Sequence, residues 1–249
     1  MTKTMFIEAR WNGRILLGEE VLERLREENT KKVALFASVQ FLALDDVKKQ
    51  LHDEGYEVLT TKAKRTHKEG QVLGCDAYPD AFSNTVLEDA DSIVYIGDGL
   101  FHPKALLLSQ RERSCMKDII VWDPVSESMR ILESEEVKKQ LDKTEANLKR
   151  FISAEKVGIL VSVKPGQQFL DMAKRLKSEL EGEQGKKAYI FIDDSIDTDQ
   201  FENYPFIDAW VNTACPRIGL DDHMNVSKPL INSREAKNPT AALERLTGK

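Results

Sequence analysis

The chain has 249 residues, 41% of them apolar and 31% charged, with a formal net charge of −6. That length suits two compact units better than one, and an acidic balance argues against a nucleic-acid partner, which needs a basic excess on some face. No run approaches the roughly eighteen apolar residues of a membrane span, MTKTMFIEAR is too short and charged for a signal peptide, and three scattered cysteines argue against a disulfide framework, so a cytoplasmic protein without a membrane partner is expected.

Residues 1–30 are expected to form an N-terminal segment packed on a first lobe, residues 31–154. From Lys31 onward, short β-rich runs alternate with longer amphipathic ones, as a helix-covered parallel sheet requires. KVALFASV is a buried strand, and LDDVKKQLHDEG is a helix stopped by Gly55. The strand YEVLTT, the loop AKRTHKEGQVLGCD, the helix YPDAFSNTVLEDA and the strand SIVYIG follow. DGLFHPKALLLSQRERS is a loop and helix, DIIVWD a further strand, and Ser134–Lys156 a polar helix packing on this lobe with Leu141, Leu148 and Phe151 on one stripe.

The second lobe, residues 155–249, repeats the plan: strand VGILVSV, helix PGQQFLDMAKRLKSELEGE, and strands KAYIFID, DAWVNTA and KPLIN. VALFASVQ matches VGILVSVK, and SIVYIGDG matches DAWVNTAC, in order more than in identity, which indicates a duplicated unit. The expected fold is α/β, with two similar lobes, each a small parallel sheet flanked by helices, and a crevice between them. Ligands of such sheets bind beyond the carboxyl ends of the strands, which draws attention to the loops there.

In GDGLFHP, Gly97 and Gly99 allow a tight turn with Asp98 and His102 on its rim; the plainer reading is that Asp98 caps a helix opened by Pro103. SVKPGQ puts Lys164 and a glycine before a helix, where an anionic group is favoured, but it is neither a Walker loop nor a dinucleotide fingerprint. The four histidines lack metal-ligand spacing, and Asp193, Asp194 and Asp197 are expected to be caps and turn formers. Cys75 and Cys215 have small neighbours, which suits a thiolate approaching a cluster and equally an inert buried thiol.

GQVLGCD (70–76), YIGDGLFHP (95–103), VSVKPGQ (161–167) and NTACPRIGLDD (212–222) stand in the order found in archaeal diphthamide-synthesis enzymes of the subunit-two type. MFIEARWNGRI and ASVQ are similar too, so the chain resembles that family over nearly its whole length. The resemblance implies a 4Fe-4S cluster held by one cysteine from each of three α/β domains, one iron being open to S-adenosylmethionine. Cleavage of the sulfonium then yields methylthioadenosine and a 3-amino-3-carboxypropyl radical, which adds to a histidine of elongation factor two. Cys75 and Cys215 match the cysteines of the second and third domains, and the first domain with its cysteine is expected to be missing. Cys115 lies beyond the helix after GDGLFHP; about thirteen residues at 1.5 Å each carry it ~20 Å toward the opposite sheet edge, so it is a third ligand only if that segment is irregular.

On this resemblance Gln40, Lys164, Gly166 and Gln167 are expected to hold S-adenosylmethionine, while Asp98, His102, Arg217 and Asp221 line the crevice. A homodimer, or a heterodimer with a related subunit, supplies the missing ligand. Three other readings stay open: a non-catalytic companion of a full-length synthase, a cleaving enzyme with another acceptor, and a nucleotide-binding α/β protein with inert cysteines.

Overall fold

A computed structural model describes residues 5, 9–82, 85–113 and 115–248, with the side chains of His223 and Asn225 left aside. The parts of the expected N-terminal segment at 1–4 and 6–8, and of the helix expected over Tyr78–Ala90 at 83–84, lie outside the described residues. The chain divides into two compact units, Met1–Glu136 and Val137–Lys249. Among the described residues no helix is long and apolar enough to cross a membrane.

The first unit contains α1 (Glu19–Glu27), β1 (Lys32–Ala37), α2 (Asp45–Asp53), β2 (Glu57–Leu59), α3 (Val86–Asp89), β3 (Ser92–Ile96), α4 (Phe101–Ser109), β4 (Ile119–Asp123) and β5 (Ser128–Leu132). The sheet order is β2-β1-β3-β4-β5. The first four strands are parallel, whereas β5 returns antiparallel to β4. Nearly every side chain of β1 and β3 is buried, because both faces of a parallel sheet are covered and its strands become continuous apolar runs. Val33, Leu35 and Ala37 join Val21, Leu25, Val47 and Leu51 of α1 and α2 in one core.

The second unit contains α5 (Lys138–Ser153), β6 (Lys156–Ser162), α6 (Leu170–Gly182), β7 (Lys187–Asp193), β8 (Ala209–Asn212), β9 (Leu230–Asn232), α7 (Ser233–Lys237) and α8 (Pro239–Thr247). All four strands are parallel, in the order β7-β6-β8-β9. Both sheets thus place their second strand on one side of the first and their third and fourth on the other, the arrangement expected of a duplicated unit.

Four expectations require correction. The boundary falls after Glu136 and not after residue 154, because α5 belongs to the second unit. Its buried residues Thr144, Asn147, Leu148 and Phe151 follow helical spacing, and Leu148 and Phe151 pack with Val157, Ile159, Leu176 and Leu180. Asn147 donates to the Leu230 carbonyl at 3.1 Å, and Lys186 Nζ donates to the carbonyls of Phe151, Ile152 and Ala154, capping the helix from the start of β7. The first sheet is not wholly parallel, since a turn after Asp123, braced by the Asp123 carboxylate on the amides of Val125 and Ser126, sends β5 back. The helix expected over Tyr78–Ala90 reduces to a 3-10 turn at Pro79–Ala81 and the single turn of α3. The helix expected from Pro165 begins only at Leu170, and α7 and α8 were not anticipated.

The α5 assignment has a direct consequence. Phe151→Ala should cost about 3–5 kcal/mol, and amide hydrogen exchange should report the loss across 137–248 while 9–136 keep their protection. Equal loss in both units would contradict the assignment.

Candidate functional site

In the first unit the strand order reverses between β1 and β3, and the chain segments that leave the sheet there meet at its carboxyl edge. Ser38 N donates to the Ile96 carbonyl at 3.0 Å, continuing the pairing past the strand ends. Gln71 forms a parallel bridge with Ala37, secured by Ala37 N to Gly70 O at 2.8 Å and Val72 N to Ala37 O at 3.2 Å. The loop of Cys75 is therefore laid against the end of β1. It then closes into a turn: Asp76 N donates to Leu73 O at 3.0 Å, and Leu73 N donates to the Asp76 carboxylate at 2.8 Å. Asp76 is 1% exposed; burial raises its pKa, opposed by the Leu73 amide and the charge of Arg65. Cys75, half-buried, is the third residue of that turn.

The GDGLFHP loop reaches the same turn. A Cβ on Gly74 would lie 2.0 Å from the Phe101 ring, so glycine lets the aromatic side chain of α4 lie directly on the backbone next to Cys75. Phe101 and the half-buried His102 are in edge contact at 5.5 Å. Asp98 is exposed, and α4 starts from Leu100 without a side-chain cap, so the capping reading of Asp98 does not hold. Gln40 sits in the short 3-10 turn Val39–Phe41 after β1. Its carbonyl accepts from Trp11 N at 3.0 Å, and its buried Oε1 has no hydrogen-bond partner among the described residues. Cys75, Asp98, His102 and Gln40 thus share one edge of one sheet.

In the second unit the reversal lies between β6 and β8, and Cys215 follows three residues after β8. Two buried asparagines shape its loop. Asn212 Nδ2 donates to the Cys215 carbonyl at 2.8 Å and to Asn232 Oδ1 at 2.7 Å, and Asn212 Oδ1 accepts from Ala214 N at 3.0 Å. Asn232 Nδ2 donates to the Pro216 carbonyl at 2.9 Å. A Cβ on Gly219 would stand 2.3 Å from Asn232 Oδ1, so the loop can wrap the carboxamide only with glycine there. Thr213 ties the loop to β6 through N and Oγ1, both donating to the Leu160 carbonyl. Cys215 itself is half-buried.

Arg217 and Asp221, expected to line the crevice, are bound to each other: Nε and Nη2 of Arg217 approach Asp221 Oδ2 at 2.7 and 2.6 Å, with the arginine side chain 6% exposed. Gln140 of α5 donates to the other carboxylate oxygen at 3.0 Å. This pair braces the loop after Cys215. Lys164 is exposed in a turn closed by Gln167 N to Lys164 O at 3.0 Å. Gly166 occupies the left-handed region there at φ 78°, and Gln167 is half-buried. That turn lies three residues short of α6, so the helix terminus expected beside it is displaced.

Cys115 is exposed and follows α4, four residues before β4 begins. A nine-residue α4 covers about 13 Å, which places Cys115 at the amino edge of the sheet, away from Cys75. Among the described residues no group of three histidine, cysteine or acidic side chains is assembled for a metal. Sequence reasoning missed Asp76, Asn212, Gly219 and Asn232 as loop-forming residues. The first three lay inside the quoted motifs, whereas Asn232 closes β9 and carries no sequence signal.

Residues 2–245 match the family of diphthamide synthesis proteins. The 2-(3-amino-3-carboxypropyl)histidine synthase of Pyrococcus horikoshii is 29% identical over 238 residues, covering 94% of this chain and 64% of the relative. The synthase of Methanocaldococcus jannaschii is 25% identical over 209 residues, covering 83% and 51%. The crystal structure of Dph2 from P. horikoshii with a 4Fe-4S cluster superposes with a TM-score of 0.67 at 26% identity, covering 92% of this chain and 60% of that one. The chain therefore spans less than two thirds of the length of these relatives.

The asparagine pair makes a testable element. Asn232→Leu removes one of the two acceptors of the Asn212 amide and the donor to the Pro216 carbonyl, costing about 1–3 kcal/mol, and should speed alkylation of Cys215 by iodoacetamide while leaving Cys75 unchanged, as read by mass spectrometry. An unaltered Cys215 rate would remove the pair from control of the loop.

Proposed function

This chain belongs to the diphthamide synthesis protein family, and on that premise we propose that it is an iron–sulfur enzyme transferring the 3-amino-3-carboxypropyl group of S-adenosylmethionine. The observation that carries the reading is the setting of Cys75 and Cys215. Each is half-buried in a carboxyl-edge loop whose backbone is held by a buried carboxyl or carboxamide. Thiolates are the ordinary ligands of 4Fe-4S clusters, so the donor chemistry fits, and loops already braced accept a cluster without refolding. Cys75 and Cys215 each supply one thiolate. Cys115, at the amino edge of its sheet, is not a ligand in this reading, and the third thiolate comes from another subunit.

When bound, the cluster supplies the electron for reductive cleavage of the sulfonium carbon–sulfur bond, giving methylthioadenosine. The chain's own residues bind and orient. The Lys164 ammonium pairs with the methionine carboxylate. The backbone at Gly166, the Gln167 side chain and the free Oε1 of Gln40 receive polar atoms of the substrate. Asp98 and His102, on the edge that carries Cys75, face the acceptor. Arg217 and Asp221 act through the loop they brace. The acceptor is a histidine ring of elongation factor two, and a homodimer or a related subunit completes the ligand set. Cluster-ligating thiolates need a reducing compartment, which favours a cytoplasmic location.

Anaerobic reconstitution with iron and sulfide, followed by incubation with S-adenosylmethionine and dithionite, should give methylthioadenosine, and Cys115→Ala should retain both iron and product. Iron-loaded protein that forms no methylthioadenosine would sink the enzyme reading. Lys164→Ala should raise the apparent KM for S-adenosylmethionine by roughly tenfold, the size of one charge-assisted hydrogen bond, with iron content unchanged.

A further inference from the structure

The α-helices of the second unit pack on one face of its sheet. On the other, Leu160 of β6 and Trp210 of β8 are covered by the segment between β7 and β8, through Phe201 of the 3-10 helix Thr198–Asn203. Between that segment and the strands lies a cleft of about 240 Å³ lined by Phe191, Phe201, Tyr204, Trp210, Asp193 and Asp197, among others. The rings form a continuous set. Phe201 stacks on Trp210 at 4.3 Å, and Phe191 meets Trp210 and Tyr204 edge-on at 4.9 and 4.7 Å. Tyr204 is 37% exposed, whereas Trp210 is fully buried.

The segment over this cleft is acidic, with Lys228 Nζ held on the carbonyls of Tyr204 and Pro205 at 2.9 and 3.2 Å. Residues 193–203, DDSIDTDQFEN, include five carboxylates and no lysine or arginine. Asp193 Oδ1 accepts from the amides of Asp194 and Ser195, and Asp197 Oδ1 accepts from Asp199 N; these bonds make them turn formers, as expected. The amides hold the Asp193 pKa below its ordinary value, so it stays ionised at neutral pH. No three-ligand metal group occurs among the described residues. Aromatic faces carry negative potential and attract organic cations, most strongly where water is partly excluded. The volume falls below that of pockets for cofactor-sized ligands and suits a single side chain.

We propose that this cleft receives the side chain of a lysine or arginine presented by a basic polypeptide segment, its alkyl stem against Phe191 and Ile196 and its cationic end between the Tyr204 ring and the carboxylates of Asp193 and Asp197. The site shares the carboxyl edge of the second sheet with the Lys164 turn, Val163 N donating to the Asp193 carbonyl at 3.0 Å, but it uses none of the residues assigned to the cluster or to S-adenosylmethionine.

The indole N–H of Trp210 reports on the cleft, being buried without a hydrogen-bond partner among the described residues. In 15N-labelled full-length protein, N-acetyl-lysine methylamide and N-acetyl-arginine methylamide should shift its signal saturably while Trp11 and Trp122 stay fixed. The neutral N-acetyl-norleucine methylamide should be at least fivefold weaker. Asp193→Asn with Asp197→Asn keeps side-chain acceptors for the turns and should weaken the cationic probes roughly two- to fivefold, as loss of a solvent-screened ion pair does. Tyr204→Leu should weaken them by a similar factor. Equal binding of the norleucine probe, or no saturable shift with any probe, would overturn the proposal, and either result leaves the iron-dependent reading untouched.

Discussion

Parallel pairing of β1 with β3, and of β6 with β8, is the constraint on which the rest depends. Parallel strands cannot be joined by tight hairpins, so each crossover must travel back along the sheet before the next strand starts. Every parallel strand therefore ends on the same edge of its unit, and loops distant in sequence become neighbours there. Gln71 bridges to Ala37 because of this return, and Thr213 reaches the Leu160 carbonyl for the same reason. Where the order reverses beside the first strand, two loops part and leave room for a ligand.

Physical chemistry then decides how each cysteine is held. A loop cannot be buried with its amides and carbonyls unpaired, and the two units solve this differently. The first closes a turn on the Asp76 carboxyl, at the cost of burying an acid whose pKa consequently rises. The second uses neutral carboxamides, Asn212 and Asn232, each offering donors and an acceptor, and its buried charge, Arg217, is paired with Asp221. Glycine appears where a ring or a carboxamide must come within van der Waals contact of the backbone, at Gly74 and Gly219. The cysteines do not occupy matching places: Cys75 lies in the crossover after the second strand of its sheet, Cys215 in the connection after the third. The duplication extends to the sheets and not to the loops that carry the thiols.

Sequence patterns made the buried strands legible, because KVALF, SIVYI and VGILV are apolar on both faces and only a covered parallel sheet accommodates them. Strand β5 escaped notice because SMRIL is polar on one face, and only the turn braced by Asp123 turns it into an edge strand. Residues 138–153 had a clear helical stripe, but periodicity says which side of a helix is apolar and not which sheet it covers. Helix α8 carries the signals of a helix, Asn238 accepting from Ala241 N, Pro239 at the first turn and Gly248 in the left-handed region beyond the end. The Arg217–Asp221 pair has the four-residue spacing of a salt bridge, yet its loop is irregular, so spacing alone does not separate a brace from a reactive pair. The aromatic cleft depends on the register of β7, β6 and β8, which no local pattern encodes.

The central claim is that Cys75 and Cys215, and not Cys115, bind iron. Iron and acid-labile sulfide per chain, with the electron paramagnetic resonance spectrum of the dithionite-reduced protein, test it in anaerobically reconstituted Cys75→Ser, Cys215→Ser and Cys115→Ser chains. The account predicts that the first two lose iron and the reduced-cluster signal while the third keeps both. A reduced-cluster signal of wild-type shape and intensity in either of the first two, or its loss in the third, would contradict it.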